Sequence, residues 1–447
     1  MTHRVPMPKR VANLDSQPMG CMVGVRVACL LLGVFACAPP SVAEDWPRWR
    51  GPRGDGTWHG PSLPEQWPQS GLKQIWRQPL GGGYAGVTVA EGRVLVMDRQ
   101  APTESEPSIP EVERVLAFDQ ATGRPLWQHT YSVRYGDLDY GTGPRAAPTY
   151  HAGRVYTLGA VGHVRCLNAA DGTEIWGKDL VADHAAELPE WGLAASPFLW
   201  RDLVIVHGGV RPDGCFIAYD AKTGQERWRA GSDPAGYATP ILIECESGQQ
   251  LIGWTPANIV SLEPAIGKIL WSIPYPVTYG VSIATPIAAD NLVFVAGYWE
   301  GSKAIRLGTQ PSEAELAWEE NRFLRGLMSQ PLHRDGFVYL LDKQYGLTCF
   351  ELATGTKRWD DGNQLTPRGR NPQATLVWLG DSERIIALNA EGELVLARLR
   401  PEGYRETSRT KIIGPTWAHP AYAGDCVFAR DDQELICVSL VAPADGS

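Results

Sequence analysis

Residues 117–127 read AFDQATGRPLW, and residues 218–228 read AYDAKTGQERW. A small residue, an acid, Thr-Gly and a closing tryptophan hold the same offsets in both. The frame returns with looser spelling at residues 166–176 (CLNAADGTEIW), 261–271 (SLEPAIGKILW) and 349–359 (CFELATGTKRW). Five copies at one internal spacing mark a repeat protein. Each copy spells a hairpin. The alternating run 115–119 suits a strand, whose side chains point to opposite faces in turn. The Ala-Thr-Gly after it suits a turn, because Gly123 and Gly224 tolerate positive φ. The tryptophan falls on the second strand and needs a neighbouring unit to cover its ring.

Working outward, each frame is preceded by two more short runs. In the third repeat the four are 195–199, 202–207, 216–220 and 226–228. The tryptophans Trp76, Trp127, Trp176, Trp228, Trp271, Trp318 and Trp359 are 41 to 52 residues apart. Four strands in that length predict a propeller blade, and the 3.6-residue period of a helical solenoid is missing. Six full units close at Trp127 to Trp359. A seventh, without the closing tryptophan, runs from about residue 372 to 413. An eighth begins at Trp417 with three strands, and residues 72–77 supply its fourth. The expectation is an all-β, eight-bladed propeller of four-stranded antiparallel blades, closed by pairing of its N- and C-terminal strands. Seven blades remain the alternative if the last two units merge. Closure removes sheet edges that would otherwise recruit other chains.

These frames resemble the tryptophan-docking repeats of the PQQ-like propellers, a family that includes quinoprotein dehydrogenases and BamB-like lipoproteins of outer-membrane protein assembly. The resemblance runs from about Trp46 to Leu440. It implies the fold and leaves function open, since one fold hosts many activities. A dehydrogenase of the family is expected to bring a calcium-binding carboxylate/amide set, a catalytic Asp and often adjacent cysteines. The chain has no adjacent cysteines, and Asp137 with Asp139 is a weak cation signal. Hydrolase, metalloprotease and nucleotide-loop motifs are absent. His163, His184 and His419 fall in different repeats and read as surface histidines.

The first 43 residues read as an export signal. Arg26 precedes the apolar run 27–38, too short to span a bilayer, and Ser41-Val42-Ala43 offers a cleavage site. A rival lipid anchor at Cys37 follows from a partial lipobox at residues 34–37. Residues 44–70 form a Trp/Gly-rich lead-in expected to pack across one end of the ring. The propeller then occupies residues 71–441, before a tail at 442–447. No later stretch is apolar enough for a transmembrane span. The formal charge of −9 over 447 residues disfavours nucleic acid. Cys426 and Cys437 would face each other if Asp431-Asp432 made a two-residue turn, giving a candidate disulfide.

Connections between blades gather at one mouth of the ring. Those connections carry Arg145, Trp191, Tyr237, Tyr279, Arg325, Arg370 and Trp417, aromatic and cationic residues suited to an anionic or peptide ligand. The plainer reading wedges the rings between blades and leaves the arginines solvated. Together these features predict a periplasmic or otherwise extracytoplasmic, non-catalytic scaffold that binds a protein partner in the cell envelope, with no cofactor and no metal. The alternative is a PQQ-dependent dehydrogenase of alcohols or sugars, holding PQQ with calcium. A sugar-binding module is a third reading.

Overall fold

The computed structural model describes residues 43–103, 107–136, 138–245, 248–326 and 328–441. The export segment ahead of Ala43 with its Cys37, Asp137, and the tail 442–447 lie outside the described residues.

Eight sheets form eight blades. Blade 1 is Thr88–Ala90, Arg93–Gln100, Val112–Asp119 and Pro125–Ser132, paired antiparallel in chain order. Its middle strands are apolar on both faces, because each face meets a neighbouring blade. Val94, Leu95, Val96 and Met97 are fully buried. The outermost strand, Pro125–Ser132, is half exposed along its length. Residues 149–179, 198–230, 241–274, 287–320 and 332–360 repeat this pattern as blades 2 to 6, and residues 374–411 form blade 7. Blade 8 takes three strands from residues 421–439, and its outer strand is Gln74–Pro79. Gln74–Pro79 runs antiparallel to Glu434–Ser439, with Trp76 opposite Cys437. The two ends of the chain therefore meet within one blade. Arg430, fully buried, ties the seam further, donating to the carbonyls of Met97 and Gly81 at 2.6 and 2.7 Å.

The repeated letters have a mechanical meaning. Asp119 and Asp220 each accept the backbone N–H and the hydroxyl of the following threonine, which folds the turn. Gly123 and Gly224 take φ of 71° and 70°. A Cβ on Gly123 would stand 2.6 Å from the ring of Trp76, and one on Gly224 would stand 2.7 Å from Trp176. Trp76, Trp127, Trp176, Trp228 and Trp318 thus each pack on the glycine of the next blade's turn. The indole N–H of these five, and of Trp359, reaches a carbonyl of that turn: Trp76 to Gln120 (2.9 Å), Trp127 to Ala169 (2.9 Å), Trp176 to Ala221 (3.2 Å), Trp228 to Pro264 (3.1 Å), Trp318 to Leu352 (2.9 Å) and Trp359 to Arg400 (2.9 Å). Trp271 departs from the pattern, donating to Gln250 Oε1 of its own blade at 3.0 Å. Blade 5 has no Thr-Gly turn to receive it. A longer loop runs there, closed by Gly308 N–H on the Glu313 carbonyl.

Two expectations are corrected. The lead-in does not cross one end of the ring; it enters the channel. Trp46 and Val89 exchange backbone hydrogen bonds at 2.9 Å, and Tyr150 N–H bonds the Pro47 carbonyl at 2.7 Å. Thr57–Trp58 adds a parallel fifth strand beside Ala374–Leu379, the innermost strand of blade 7. Innermost strands leave one row of backbone groups facing the channel, and the lead-in satisfies part of that row. Cys426 and Cys437 are free thiols. Asp431 to Glu434 close their hairpin, with Asp431 Oδ1 accepting from Gln433 and Glu434 N–H. That longer turn moves the register by two, so Cys437 pairs with Phe428 and Cys426 with Ser439, a diagonal placement that still leaves the two thiols in hydrogen-bond contact.

Candidate functional site

In a blade of four antiparallel strands, the connector to the next blade and the hairpin between the second and third strands leave at the same end. The candidate residues on this face fall into three neighbourhoods. At blades 8 and 1, Trp417 stacks with Tyr84 and meets Tyr140, each at 5.8 Å between ring centres. Arg145 lies 5.6 Å over Tyr84, but its nitrogens donate to the carbonyls of Gly143, Asp139 and Tyr140. The guanidinium therefore holds its own loop and is not free for a ligand. Below it, the buried Glu113 carboxylate accepts from Tyr131 (2.6 Å), Tyr135 (2.5 Å) and the Ala160 N–H (3.0 Å). Burial, then the nearby carboxylate, raises both phenol pKa values, so these hydroxyls stay protonated donors.

In the second neighbourhood Trp191 and Tyr237 meet at 5.7 Å. Tyr237 is buried, and burial raises its hydroxyl pKa. This pair wedges between blades.

The third, at blades 5 to 7, is different. Tyr279 is 67 % exposed and Trp299, at a hairpin tip, is 49 % exposed. Their rings lie 6.4 Å apart. Lys343 Nζ sits 4.3 Å from the Trp299 ring centre and 4.2 Å from that of Tyr298. The Tyr298 hydroxyl donates to the Arg370 carbonyl at 3.0 Å, placing the exposed Arg370 beside the patch. Arg325 Nη2 donates to Gln344 at 3.1 Å, and this guanidinium lowers the pKa of Lys343 after desolvation does. The structure thus groups Tyr279, Arg325 and Arg370 and adds Trp299 and Lys343, which the sequence reading passed over. A Tyr-Trp pair at a hairpin tip, where most blades place small or polar residues, was the available signal.

The channel itself is filled near its centre. Trp58 is fully buried with its ring 5.4 Å from Tyr422, and Trp46 meets the same tyrosine at 5.5 Å. Trp49 donates to Thr285 Oγ1 at 2.8 Å and lies 4.3 Å from the ring of His419. His419 is therefore a channel residue, not a surface one, and burial pushes its pKa down to about 3. His163 and His184 stand beside Asp179 and Glu226 at 3.6 Å. A cavity of about 700 Å3 remains between the lead-in and the inner strands of blades 3 to 5.

PQQ held by calcium needs convergent carboxylates and room between the inner strands. Among the described residues no group of three His, Cys, Asp or Glu side chains converges as a cation site. The centre of the ring holds the chain's own tryptophans. These residues do not fit that cofactor arrangement.

Comparison with known proteins adds the following. The family model described as outer membrane protein assembly factor BamB matches residues 111–361. The BamB of Burkholderia pseudomallei is 22% identical over 375 residues, 79% of this chain and 87% of that protein. The quinohemoprotein alcohol dehydrogenase ADH IIB of Pseudomonas putida is 30% identical over 188 residues, 39% of this chain. That match spans 26% of the dehydrogenase, about a quarter of its length. Among solved structures, BamB from Moraxella catarrhalis superposes with a TM-score of 0.56 at 15% identity, over 84% of this chain and 99% of that one. At such identity the likeness speaks for the fold.

Proposed function

The chain belongs to the family described as outer membrane protein assembly factor BamB, and from that premise we propose that it is an exported, non-catalytic scaffold that binds a protein partner in the cell envelope. The observation that carries this reading is the exposed aromatic patch of Tyr279 and Trp299 beside Lys343. Large rings held open to solvent next to cations are typical of the anchors that dominate protein interfaces. Arg325, Lys343 and Arg370 here outnumber Glu300 and Asp342, the carboxylates that act on Lys343. The partner segment it suits is therefore acidic and carries an apolar side chain. No helix among the described residues is long and apolar enough to cross a membrane. Residues 1–43 are proposed as the export signal, with Cys37 as the alternative anchoring point.

A photo-crosslinking residue at position 299 tests this in cells. One dominant envelope protein should be captured there, and not from position 175 on the outer strand of blade 2. Equal capture from both positions would defeat the assignment. The dehydrogenase alternative draws on sequence likeness to part of an alcohol dehydrogenase. Dye reduction by the purified protein with PQQ, calcium and an alcohol would establish it.

A further inference from the structure

Among the described residues, six of the eight innermost strands are three residues long, as Thr88–Ala90 is. The two longer ones are Ala374–Leu379 in blade 7 and Ile241–Cys245 in blade 4. The lead-in covers the first with a parallel strand, Thr57–Trp58. The second has no such cover. Among the described residues, the backbone groups of residues 241–244 bond only to the next strand of their own blade, Gly248–Trp254.

The cavity of about 700 Å3 runs along this open edge. It is lined from Thr239 to Cys245, with Phe198 and Leu199 of blade 3 to one side and Ile287 and Ala288 of blade 5 to the other. The side chains of the strand already pack against neighbouring blades. Ile241 and Ile243 join the core of Trp254 and Val293, and Leu242 joins that of Phe216 and Leu251. What faces the cavity is therefore a row of backbone N–H and C=O groups, the template for a further strand. Outer edges of the blades are blunted. Glu226–Ala230 carries Glu226, Arg227 and Arg229, and Ile269–Pro274 ends in proline. Charge and proline both discourage strand addition, and residues 241–243, Ile-Leu-Ile, have neither.

The cavity does not select by charge. Arg48, Arg50 and Arg53 share its walls with Asp55, Glu244 and Asp290. Arg48 and Arg50 also donate to the carbonyls of Pro52, Asp55 and Pro331. Backbone pairing and apolar walls are what remain to hold an occupant.

We propose that this cavity takes an extended, uncharged peptide segment, added as a new innermost strand beside Ile241–Cys245, with side chains pointing by turns toward Phe198 and Ile287. Thr57–Trp58 makes the same kind of addition in blade 7. In such binding the main chain supplies affinity and alternate side chains supply selectivity, and walls of this kind favour β-branched residues. Five residues at about 3.3 Å each make a contact of about 17 Å. The site is separate from the aromatic patch and does not rest on the scaffold reading.

Titration calorimetry on the purified protein with the capped peptide acetyl-Val-Thr-Val-Thr-Val-amide tests this. A saturable heat is expected, with slowed hydrogen exchange within residues 241–245. The same peptide N-methylated at its second and third residues has both strand edges spoiled and should bind at least tenfold more weakly. Ala288→Trp, a change at an exposed wall residue, should weaken the unmodified peptide to a similar degree with an unchanged melting temperature. Should that variant lower the melting temperature, the N-methylated comparison on the parent protein decides alone. Absence of saturable heat, equal binding of the N-methylated peptide, unaltered affinity in a folded Ala288→Trp variant, or protection confined to outer strands such as Ile269–Pro274 overturns the proposal.

Discussion

The indole nitrogen of Trp67 donates to the carbonyl of Leu440 at 3.3 Å, across 373 residues of chain. Leu440 follows Ser439 as Gln120 follows Asp119, so this is the bond that every docking tryptophan but Trp271 makes to the next blade. In blade 7 Trp378 lies on the innermost strand, and the outer strand has no docking tryptophan. Ser408 faces Leu396 there, as Trp127 faces Ala117 in blade 1. The Ser408 hydroxyl accepts the backbone N–H of Trp67 at 3.0 Å. The lead-in has supplied from outside the side chain that the seventh repeat omits.

Trp67→Ala should therefore behave as a core truncation and not as a change in a loose arm. Trp67 is 6% exposed, and removing a buried tryptophan costs about 3–5 kcal/mol. Trp228→Ala, at 8% exposure, should cost a similar amount. Urea titration of both variants measures this. A loss under about 1 kcal/mol for Trp67→Ala would show that the seventh docking site contributes little.

The glycine beneath five of these rings gives a second test. Gly224→Ala must hold alanine at φ 70° and push against Trp176, whereas Gly92→Ala meets nothing within 4 Å at φ 75°. The strain is shared, at about 1–2 kcal/mol. The clash adds about 1–3 kcal/mol at Gly224 alone. Equal destabilisation of the two variants in denaturant would mean that the ring does not bear on the turn.

Much of this architecture is legible because its parts are local. Asp, Thr, Gly and Trp sit within eleven residues, so one repeat announces its turn and its docking ring together. The closing of blade 8 by Gln74–Pro79 is legible for the same reason, since Trp76 belongs to no earlier unit. What is not legible depends on partners far along the chain. Residues 44–60 show no period because they pair with backbone of several blades, and backbone leaves no mark in the letters. Arg145 looks like a ligand arm, yet its donors are spent on carbonyls three loop residues supply. The cysteine register turned on whether a hairpin closes with two residues or four, and Asp431 decided for the longer turn by capping two N–H groups.

Stability should fall in mild acid. His207 is 1% exposed, its Nε2 accepts the Gly236 N–H at 3.0 Å, and its Nδ1 donates to the Ala238 carbonyl. Burial pushes its pKa down to about 4. The unfolded chain takes up that proton near pH 6.5, so between about 6.5 and 4 the unfolded state binds more protons than the native state. The stabilisation is complete above the unfolded value and is lost as pH falls toward the folded one, at up to ~1.4 kcal/mol per pH unit. His419 acts in the same direction, to about pH 3. Urea midpoints measured from pH 7 to 4 should drop less steeply for His207→Gln than for the parent. Parallel curves would refute the assignment.

At the exposed patch, Trp299→Ala and Lys343→Glu should leave stability within about 0.5 kcal/mol of the parent, as for other surface changes. Both should abolish the crosslink from position 279. Capture that survives the double variant would place the partner elsewhere on the ring.

The head of the chain completes the last two blades: Trp67 roofs the seventh, and Gln74–Pro79 finishes the eighth. A nascent chain must then hold its opening segment in reserve until synthesis reaches residue 439. Until that moment two unfinished sheets stand open at once, one awaiting a ring and the other a strand. A stop codon a few dozen residues early would leave those opening residues with nowhere to settle, so quality control can judge the whole product by whether its two extremities have found each other.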